Sequence, residues 1–399
     1  MRHAAALTLT VTVVLLLVSM VLHMPTEVQS TLFGRRLLEA GSIIYCDVYS
    51  QLHDTLVESY SKPPWRVIAD LKPTQPPLAW ITVLLATALS RFLASSASDF
   101  LVYFYLIYSA ISTAAVSYGI YRLVRARSIY LYPVYATTLL VYGVYSYDSL
   151  ALPLIAEAVV SIREGEVKRA LFYSTLSFTT SFYSIVVLGL LVYLLLRDPN
   201  LDESIYTGML YGLIPLLLVL AVDPSYIKRV VSSVIQAGFN NGLLQVLTPW
   251  LSVEAAYGLN MGLWILLLLT LYAVSPSLNE RERLTMYIPV VMLLLYSLHP
   301  QPVPQTLLLI LPLIPTLFVR RDARLLLTVE FLNALIIILW FKAGVIAEAL
   351  RSIGLDASPN PLSLENPIQW ISITRDSMLA VYALQALKEV MEADAGGGI

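Results

Sequence analysis

The segment between His23 and Gln75 holds the densest set of side chains that could do chemistry. Its ionisable residues are Asp47, His53, Asp54, Glu58, Lys62, Arg66, Asp70 and Lys72. Carboxylates and imidazoles exchange protons, whereas ammonium and guanidinium groups bind phosphate. The same composition also suits a plain solvated loop.

Polar residues at the ends of apolar runs form a second set of candidates. Asp148 ends one such run, and His299 precedes Pro300 at the end of another. An aspartate in a helical bundle is costly and often functional, but a helix cap explains Asp148 equally well. His299 can be a functional group or a turn residue, and Asn240 and Asn241 can belong to a site or cap a helix.

The overall composition is that of an integral membrane protein. Of the 399 residues, 58% are hydrophobic and 13% charged, and the mean hydropathy is +0.73. Soluble domains carry about 25% charged residues. With a net charge of -2, nothing in the composition indicates the clustered basic surface that a nucleic-acid partner requires, so we expect no nucleic-acid partner.

Metal and cofactor sites have no sequence signature in this chain. Cys46 is the single cysteine, which excludes an internal disulfide and a cysteine-based metal site. The four histidines, His3, His23, His53 and His299, are too far apart to form a metal motif. We therefore predict no cofactor, and a divalent metal ion is not indicated.

Apolar runs predict an all-α fold of about ten to twelve transmembrane helices, since a span needs about 20 apolar residues. Residues 1–399 are expected to form a single transmembrane domain. Glu330 and Asn333, one turn apart in an apolar run, are expected to face its interior in a structural role. The candidate spans are 4–22, 77–95, 99–121, 129–147, 149–162, 169–196, 205–222, 259–275, 284–299, 304–319, 324–347 and 369–387.

Basic clusters between these runs predict the topology, because short basic loops favour the cytoplasm. This rule places Asp148, the 197–204 loop and the turn from His299 to Pro304 on the outer side. Before residue 128 the alternation fails, which indicates that one early candidate is not a span. The basic clusters are Arg122/Arg125/Arg127, Arg163/Lys168/Arg169, Lys228/Arg229, Arg281/Arg283 and Arg320/Arg321/Arg324.

The first outer loop, residues 23–76, is predicted to contain interfacial helices. Apolar residues from Ile43 to Val57 follow helical spacing, which is typical of an amphipathic helix lying on a membrane surface. Pro76 and Pro77 then start the next helix from its first turn.

Four sequence elements resemble the GT-C class of membrane glycosyltransferases, nearest to the polyprenyl-phosphate-mannose-dependent mannosyltransferases. Tyr45-Cys-Asp47-Val-Tyr49 is similar to a D-V-Y element of that class, and Gln75-Pro-Pro-Leu78 to a Y-P-P-L element. Phe239-Asn-Asn-Gly-Leu-Leu244 resembles its Asn-rich loop. Ser297-Leu-His-Pro-Gln301, followed by Leu311-Pro-Leu-Ile-Pro315, is similar to its late outer turn and proline-containing span.

The resemblance implies inverting transfer of a hexose, mannose in the nearest subfamily, from a polyprenyl-phosphate carrier to a lipid or glycan acceptor. The site would face outward from the plasma membrane, among membrane lipids. Asp47 and His299 would be catalytic, with Asp47 as the base, and we expect them to face one cavity. The substrate-binding residues would be Tyr49, Lys62, Arg66, Lys72, Asp148, Asn240, Asn241 and Gln301.

Departures from the family pattern keep other functions open. Gln75 replaces the usual tyrosine, and the aspartate is single, so a catalytically inactive GT-C-like subunit that binds lipid or scaffolds a complex is the alternative. A secondary transporter would usually show inverted repeats, and the sequence has no evident internal repeat.

Overall fold

The computed structural model describes residues 2–34, 47–62, 74–127, 135–144, 146–197, 204–274, 281–314 and 323–392, and every regular element in these ranges is helical. A hydrophobic core extends through the bundle from Leu16 to Ala386. The α-helices are α1 (Arg2–Leu22), α2 (Thr26–Phe33), α3 (Asp47–Ser61), α4 (Pro77–Leu93), α5 (Ala97–Arg127), α6 (Ala136–Tyr142), α7 (Leu152–Glu164), α8 (Val167–Phe178), α9 (Ile185–Arg197), α10 (Ser204–Gly212), α11 (Ile214–Val222), α12 (Tyr226–Gln236), α13 (Val253–Val274), α14 (Arg281–Ser297), α15 (Leu307–Ile310), α16 (Ala323–Trp340), α17 (Ala343–Ser352) and α18 (Pro367–Glu392).

Among the described residues, two helices are long and apolar enough to cross a membrane. They are Ala5–Leu22, with a mean hydropathy of 2.6, and Ala97–Ala126, with 1.6. Two bent pairs raise the number to four if each counts as one span: Ala136–Tyr142 with Tyr147–Glu164, bent by 116°, and Arg324–Trp340 with Ala343–Ser352, bent by 89°. The all-α fold is confirmed for the described residues, the apolar helices are consistent with a membrane protein, and the number of ten to twelve spans stays a prediction.

A buried ionic cluster defines one end of the bundle, called here the basic end. The Glu157 side chain is 3% exposed and binds Arg122 (Nε to Oε1, 2.6 Å) and Arg169 (Nη2 to Oε2, 3.1 Å). Tyr118 donates a hydrogen bond to the same carboxylate. Nearby, Arg163 Nε donates to Thr285 Oγ1 at 3.1 Å, which joins α7 to α14.

The opposite end, called here the polar end, begins where α5 begins. The 31 residues of α5 span about 46 Å at 1.5 Å per residue, so Ala97 lies far from Arg122. Helices α2 and α3 pack on the first part of α5. There Tyr105 donates to the Met20 carbonyl at 2.5 Å.

Helix α4 lies in the part of the chain where the predicted topology fails. Tyr226 donates to the Gln75 carbonyl at 2.8 Å just before its first residue. In its last turn Arg91 donates to the Lys62 carbonyl, beside the end of α3. With 17 residues the helix is shorter than the roughly 20 residues that a span needs, so the segment 77–95 as a span stays a prediction.

The predicted span 169–196 is broken in the structure by a turn at residues 179–184. Helix α8 ends at Phe178, a 3-10 turn covers Phe182–Ser184, and α9 starts at Ile185. The following helix α10 lies beside the start of α8, since a Cβ atom on Gly208 would be 2.6 Å from the Lys168 carbonyl oxygen. The start of α10 is thus near the basic end; the loop before it lies outside the described residues, and its placement with Asp148 stays a prediction.

Lys228 and Arg229 belong to α12, whose first residue, Tyr226, contacts Gln75. Arg229 forms an ion pair with Asp223. These contacts connect the cluster to the start of α4, and the membrane side on which it lies stays a prediction.

Glu330 supplies the cap of the short helix α6 from a distant part of the chain. Its side chain is 1% exposed, and its Oε2 accepts from the Thr138 amide at 2.7 Å. A carboxylate at a helix N-terminus pairs amides that otherwise have no partner and interacts favourably with the helix dipole. The expected structural role of Glu330 is consistent with this burial and this contact.

We predict that Glu330→Ala lowers the free energy of unfolding by about 1.5–3 kcal/mol, the usual contribution of a hydrogen bond to a charged group. Glu330→Gln should lower the free energy of unfolding by less, because the amide oxygen of the new glutamine can still accept from the Thr138 amide. Glu348→Ala, an exposed position on α17, is the control. Thermal unfolding in one membrane mimic measures all three, and equal midpoints for the two alanine variants would contradict the capping role.

Candidate functional site

The polar end is organised around the segment between α14 and α15, residues 298–306, called here the proline turn. Its sequence, Leu-His-Pro-Gln-Pro-Val-Pro-Gln-Thr, contains three prolines that donate no backbone hydrogen bond and interrupt the helix. Broken helices are tolerated in a membrane protein only where other groups pair the freed backbone. The carbonyl groups of this turn therefore need donors from elsewhere.

Three separate parts of the chain supply those donors. The Asn240 amide donates to the Pro300 carbonyl at 3.1 Å. Arg375 Nη2 donates to the Pro302 carbonyl at 3.3 Å. Asn333 Nδ2 donates to the Pro304 carbonyl at 3.1 Å. The proline turn thus connects the Asn-rich loop, α16 and α18.

Arg375 is the most connected of these donors, and its side chain is 0% exposed. Its Nε donates to Asp376 Oδ1 at 2.8 Å, and its Nη1 to Asn333 Oδ1 at 2.9 Å. Its Nη2 also donates to the Asn241 carbonyl at 3.0 Å, and the guanidinium lies 5.3 Å from the centre of the Tyr296 ring. Such a planar fork with several donors cannot be replaced by a lysine.

Sequence reasoning missed Arg375, although one signal was present. An arginine next to an aspartate inside the apolar run 369–387 is costly and usually faces a bundle interior. Its partners lie 42 and 134 positions away in the chain. The residue type therefore marks the position, but not what it binds.

Two predicted substrate-binding residues, Asn241 and Gln301, make contacts with other parts of the chain. Asn241 has a left-handed backbone (φ 56°) and exchanges hydrogen bonds with Gln369, from its amide to Oε1 at 3.2 Å and from Nε2 to its Oδ1 at 3.4 Å. Gln301 Nε2 donates to the Val234 carbonyl at 2.8 Å and to the Gly238 carbonyl. These contacts hold the Asn-rich loop against the proline turn.

The neighbouring Gly242 fits the same close packing. A Cβ atom at this position would lie 2.6 Å from Pro302 Cδ. Real Cβ atoms do not approach ring atoms this closely, so a larger residue would push the Asn-rich loop away from the turn. Asn240, by contrast, keeps a buried Oδ1 atom with no hydrogen-bond partner among the described residues.

His299 is a half-buried residue of the proline turn whose hydrogen bonds define its tautomer. The Gln301 amide donates to His299 Nδ1 at 3.0 Å. Because a backbone amide can only donate, Nδ1 must carry the lone pair, and the proton of the neutral ring is on Nε2. The Tyr183 hydroxyl lies 3.0 Å from Nδ1 and 2.9 Å from the Gln301 carbonyl, and its single proton can be donated to only one of these two acceptors.

Burial lowers the pKa of the His299 imidazole from 6.5 to about 4. Aromatic rings of Tyr183 and Tyr257 contact it, with centroids at 4.9 and 5.1 Å. At neutral pH the ring is therefore uncharged, accepts at Nδ1 and can donate from Nε2. This geometry suits hydrogen bonding to an anionic oxygen better than it suits proton abstraction.

Asp148 is a half-buried carboxylate that joins the proline turn to two other breaks in the helices. Thr306 Oγ1 donates to its Oδ2 at 2.9 Å, and Ser181 forms a second hydrogen bond to the side chain. Ser146, rather than Asp148, caps the 3-10 turn Tyr147–Leu150 by accepting from the Asp148 amide at 3.1 Å. A carboxylate has about four acceptor positions, so two such bonds leave others for a ligand.

The broken segment 179–184 brings a further motif to this region. The Leu78 amide donates to the Thr179 carbonyl at 2.7 Å, so the Gln75-Pro-Pro-Leu78 element docks beside Ser181 and Tyr183. The signal for the break was a run of small hydroxyl residues inside an apolar stretch. They are Ser174, Thr175, Ser177, Thr179, Thr180, Ser181 and Ser184, all buried.

The first outer loop is only partly described. Asp47 starts α3, but the side chains of Asp47 and Tyr49, together with Arg66 and Lys72, lie outside the described residues. The pairing of Asp47 with His299 therefore stays a prediction. Lys62 is described, and its ammonium forms an ion pair with Glu58 at 3.0 Å.

His53 connects α3 to α2 beside a cavity of about 460 Å³. Its Nε2 lies 3.1 Å from Glu27 Oε2, and its Nδ1 lies 3.1 Å from Asp54 Oδ1. Burial alone would lower the pKa of His53, but the hydrogen bonds and charges of Asp54 and Glu27 outweigh it and raise that pKa. In the described part of the chain, no three His, Cys, Asp or Glu side chains form a group that could hold a metal ion.

Comparisons with protein-family models, curated proteins and solved structures found no match for this chain.

We predict that His299 keeps one neutral tautomer, protonated at Nε2, from about pH 5 to 8, because its pKa lies near 4. Nitrogen NMR of histidine-labelled protein in nanodiscs measures this, with His299→Gln assigning the signal. Tyr183→Phe should loosen the ring while leaving the Gln301 amide contact. A His299 signal that titrates near pH 6.5, or one protonated at Nδ1, would contradict the assignment.

The lowered pKa of His299 also gives the direction in which pH changes the stability of the fold. Between about pH 6.5 and 4 the unfolded chain takes up a proton at His299 that the folded chain does not. The contribution of His299 to the free energy of unfolding is therefore fully present above pH 6.5 and is lost as the pH falls toward 4. His299→Gln should remove this part of the acid sensitivity.

Proposed function

We propose that this chain is a membrane glycosyltransferase of the GT-C class, which moves a sugar from a polyprenyl-phosphate carrier to a lipid or glycan acceptor. In this proposal the chain crosses the plasma membrane about ten to twelve times. The polar end faces outside, and the basic end faces the cytoplasm, as the positive-inside rule favours.

The observation that supports this proposal is the meeting of distant motifs at the polar end. Three of the four elements that resemble the GT-C class lie together there: Gln75-Pro-Pro-Leu78, the Asn-rich loop and the proline turn. Their contacts run through Thr179, Tyr183 and Pro300. Asp148 and His299 are both half-buried in the same region.

The proposed reaction assigns roles to Asp47, His299 and Asp148. The acceptor hydroxyl forms a bond to the anomeric carbon, and the bond from that carbon to the phosphate oxygen breaks, with its electron pair leaving on the phosphate. The hydroxyl proton passes to Asp47, the proposed base. His299 donates from Nε2 to the leaving phosphate, and Asp148 accepts hydrogen bonds from sugar or acceptor hydroxyls.

A second candidate function is a GT-C-like subunit that binds lipid or scaffolds a complex without catalysis. The observation that favours it is the use of predicted substrate-binding groups in protein contacts. Lys62 is paired with Glu58, and the side-chain amides of Asn241 and Gln301 bind other parts of the chain. The two functions differ in whether any sugar transfer occurs.

We predict that Asp47→Asn abolishes transfer while the protein stays folded, because loss of a general base costs about 10²–10⁴-fold in rate. Membranes with radiolabelled polyprenyl-phosphate sugars provide the assay. The control is Asp54→Asn, the same change at a carboxylate that is 100% exposed, and it should keep most activity.

Other results of the sugar-transfer assay would point to a different base or to the scaffold function. Full activity of Asp47→Asn would show that another carboxylate is the base. Asp148→Asn would then be the next variant, since that carboxylate accepts from Thr306 in the same proline turn as His299. No transfer by the wild type with any polyprenyl-phosphate sugar would favour the scaffold function.

A further inference from the structure

A cavity of about 470 Å³ opens between α8 and α10 at the basic end, away from the proposed glycosyl-transfer site. Its walls are mostly apolar, with Phe172 and Tyr211 among them, and Glu166, Lys168 and Arg169 form its charged part. Apolar walls next to cations are the pattern of a site for an amphiphile with a negative head group.

Two glycines hold the helices that form this cavity in close contact. On α10, a Cβ atom at Gly208 would lie 2.6 Å from the Lys168 carbonyl oxygen, and one at Gly212 would lie 2.7 Å from Thr175 Cβ. Small residues four positions apart allow helix backbones to approach closely within a membrane. The backbone that carries Lys168 is therefore held firmly at the cavity.

The charges around the cavity leave one cation for a ligand. Arg169 is shared between Glu166 at 2.9 Å and Glu157 at 3.1 Å, and Glu157 is also bound to Arg122. Glu164 also interacts electrostatically with Arg122. Lys168 lines the cavity, and its ammonium has no ion pair or hydrogen bond among the described residues, so it is the cation available to a ligand.

The apolar side of the cavity continues onto the outside of the bundle. On α10, Tyr206 is 63% exposed, Leu210 57% and Tyr211 58%. In a membrane this surface contacts acyl chains. A chain of a lipid whose head group sits at Lys168 can therefore run along Tyr211 without crossing polar surface.

From this arrangement we propose that the cavity binds an anionic phospholipid, with its phosphate on Lys168 and an acyl chain against Phe172 and Tyr211. Free phosphate would leave the apolar walls without a partner, and a zwitterionic lipid would bring its own positive charge toward Lys168. The proposal requires only a membrane location and does not depend on glycosyl transfer.

Native mass spectrometry of the full chain released from detergent tests this proposal. We expect phosphatidylglycerol to be retained in preference to phosphatidylcholine. One basic residue near a membrane surface contributes about 1 kcal/mol, so Lys168→Gln should weaken phosphatidylglycerol binding about fivefold. Lys168→Arg should keep it. Lys228→Gln, the same change on α12 at the polar end, is the matched control and should bind like the wild type.

Several results would overturn the proposal. Equal retention of the two phospholipids, or equal losses in Lys168→Gln and Lys228→Gln, would show that Lys168 does not select a head group. Competition by inorganic phosphate as strong as that by phosphatidylglycerol would indicate a free-anion site. Preference for a polyprenyl phosphate would assign the cavity to the carrier lipid. If Lys168→Gln does not fold, the proposal is still tested by the preference of the wild type and of Lys168→Arg for phosphatidylglycerol over phosphatidylcholine.

Discussion

The polar end of this protein depends on one constraint, which is that the carbonyl groups of the proline turn must be paired inside an apolar bundle. Pro300, Pro302 and Pro304 break the helix ladder, and an unpaired buried carbonyl costs about 1–3 kcal/mol. Arg375 connects this turn to the rest of the region, because one guanidinium joins the Pro302 and Asn241 carbonyls to Asn333 and Asp376. The buried charge is tolerated because each of its nitrogen atoms has a partner.

This constraint separates the polar residues of the region into two groups. The side chains of Asn241 and Gln301 hold the Asn-rich loop and the proline turn together, so their amides are already used. Asp148 and His299 are half-buried and retain hydrogen-bonding capacity beyond the contacts described. Any ligand at this end would therefore meet a carboxylate and a neutral imidazole whose positions are set by Thr306, Ser181 and Tyr183.

Much of this arrangement was predictable from residue types, but its connections were not. The prolines at 76 and 77 indicated the start of α4, and the cost of an intramembrane carboxylate pointed to Asp148. Hydropathy could not decide whether α4 crosses the membrane, because an apolar helix of 17 residues resembles a span by composition alone. It also concealed the break at 179–184, since small hydroxyl residues are tolerated in membrane helices. Arg375 required tertiary information, because its partners come from three distant segments.

The most direct test of the central role of Arg375 is the free energy of unfolding of Arg375→Lys, measured with Arg351→Lys as control. The lysine keeps the charge beside Asp376, but it cannot reach the Pro302, Asn241 and Asn333 oxygens together. We predict that Arg375→Lys loses at least about 2 kcal/mol, from two or more unpaired buried acceptors. Arg351 is exposed on α17, and its replacement should stay within about 0.5 kcal/mol of the wild type. An Arg375→Lys protein as stable as the control would contradict the account.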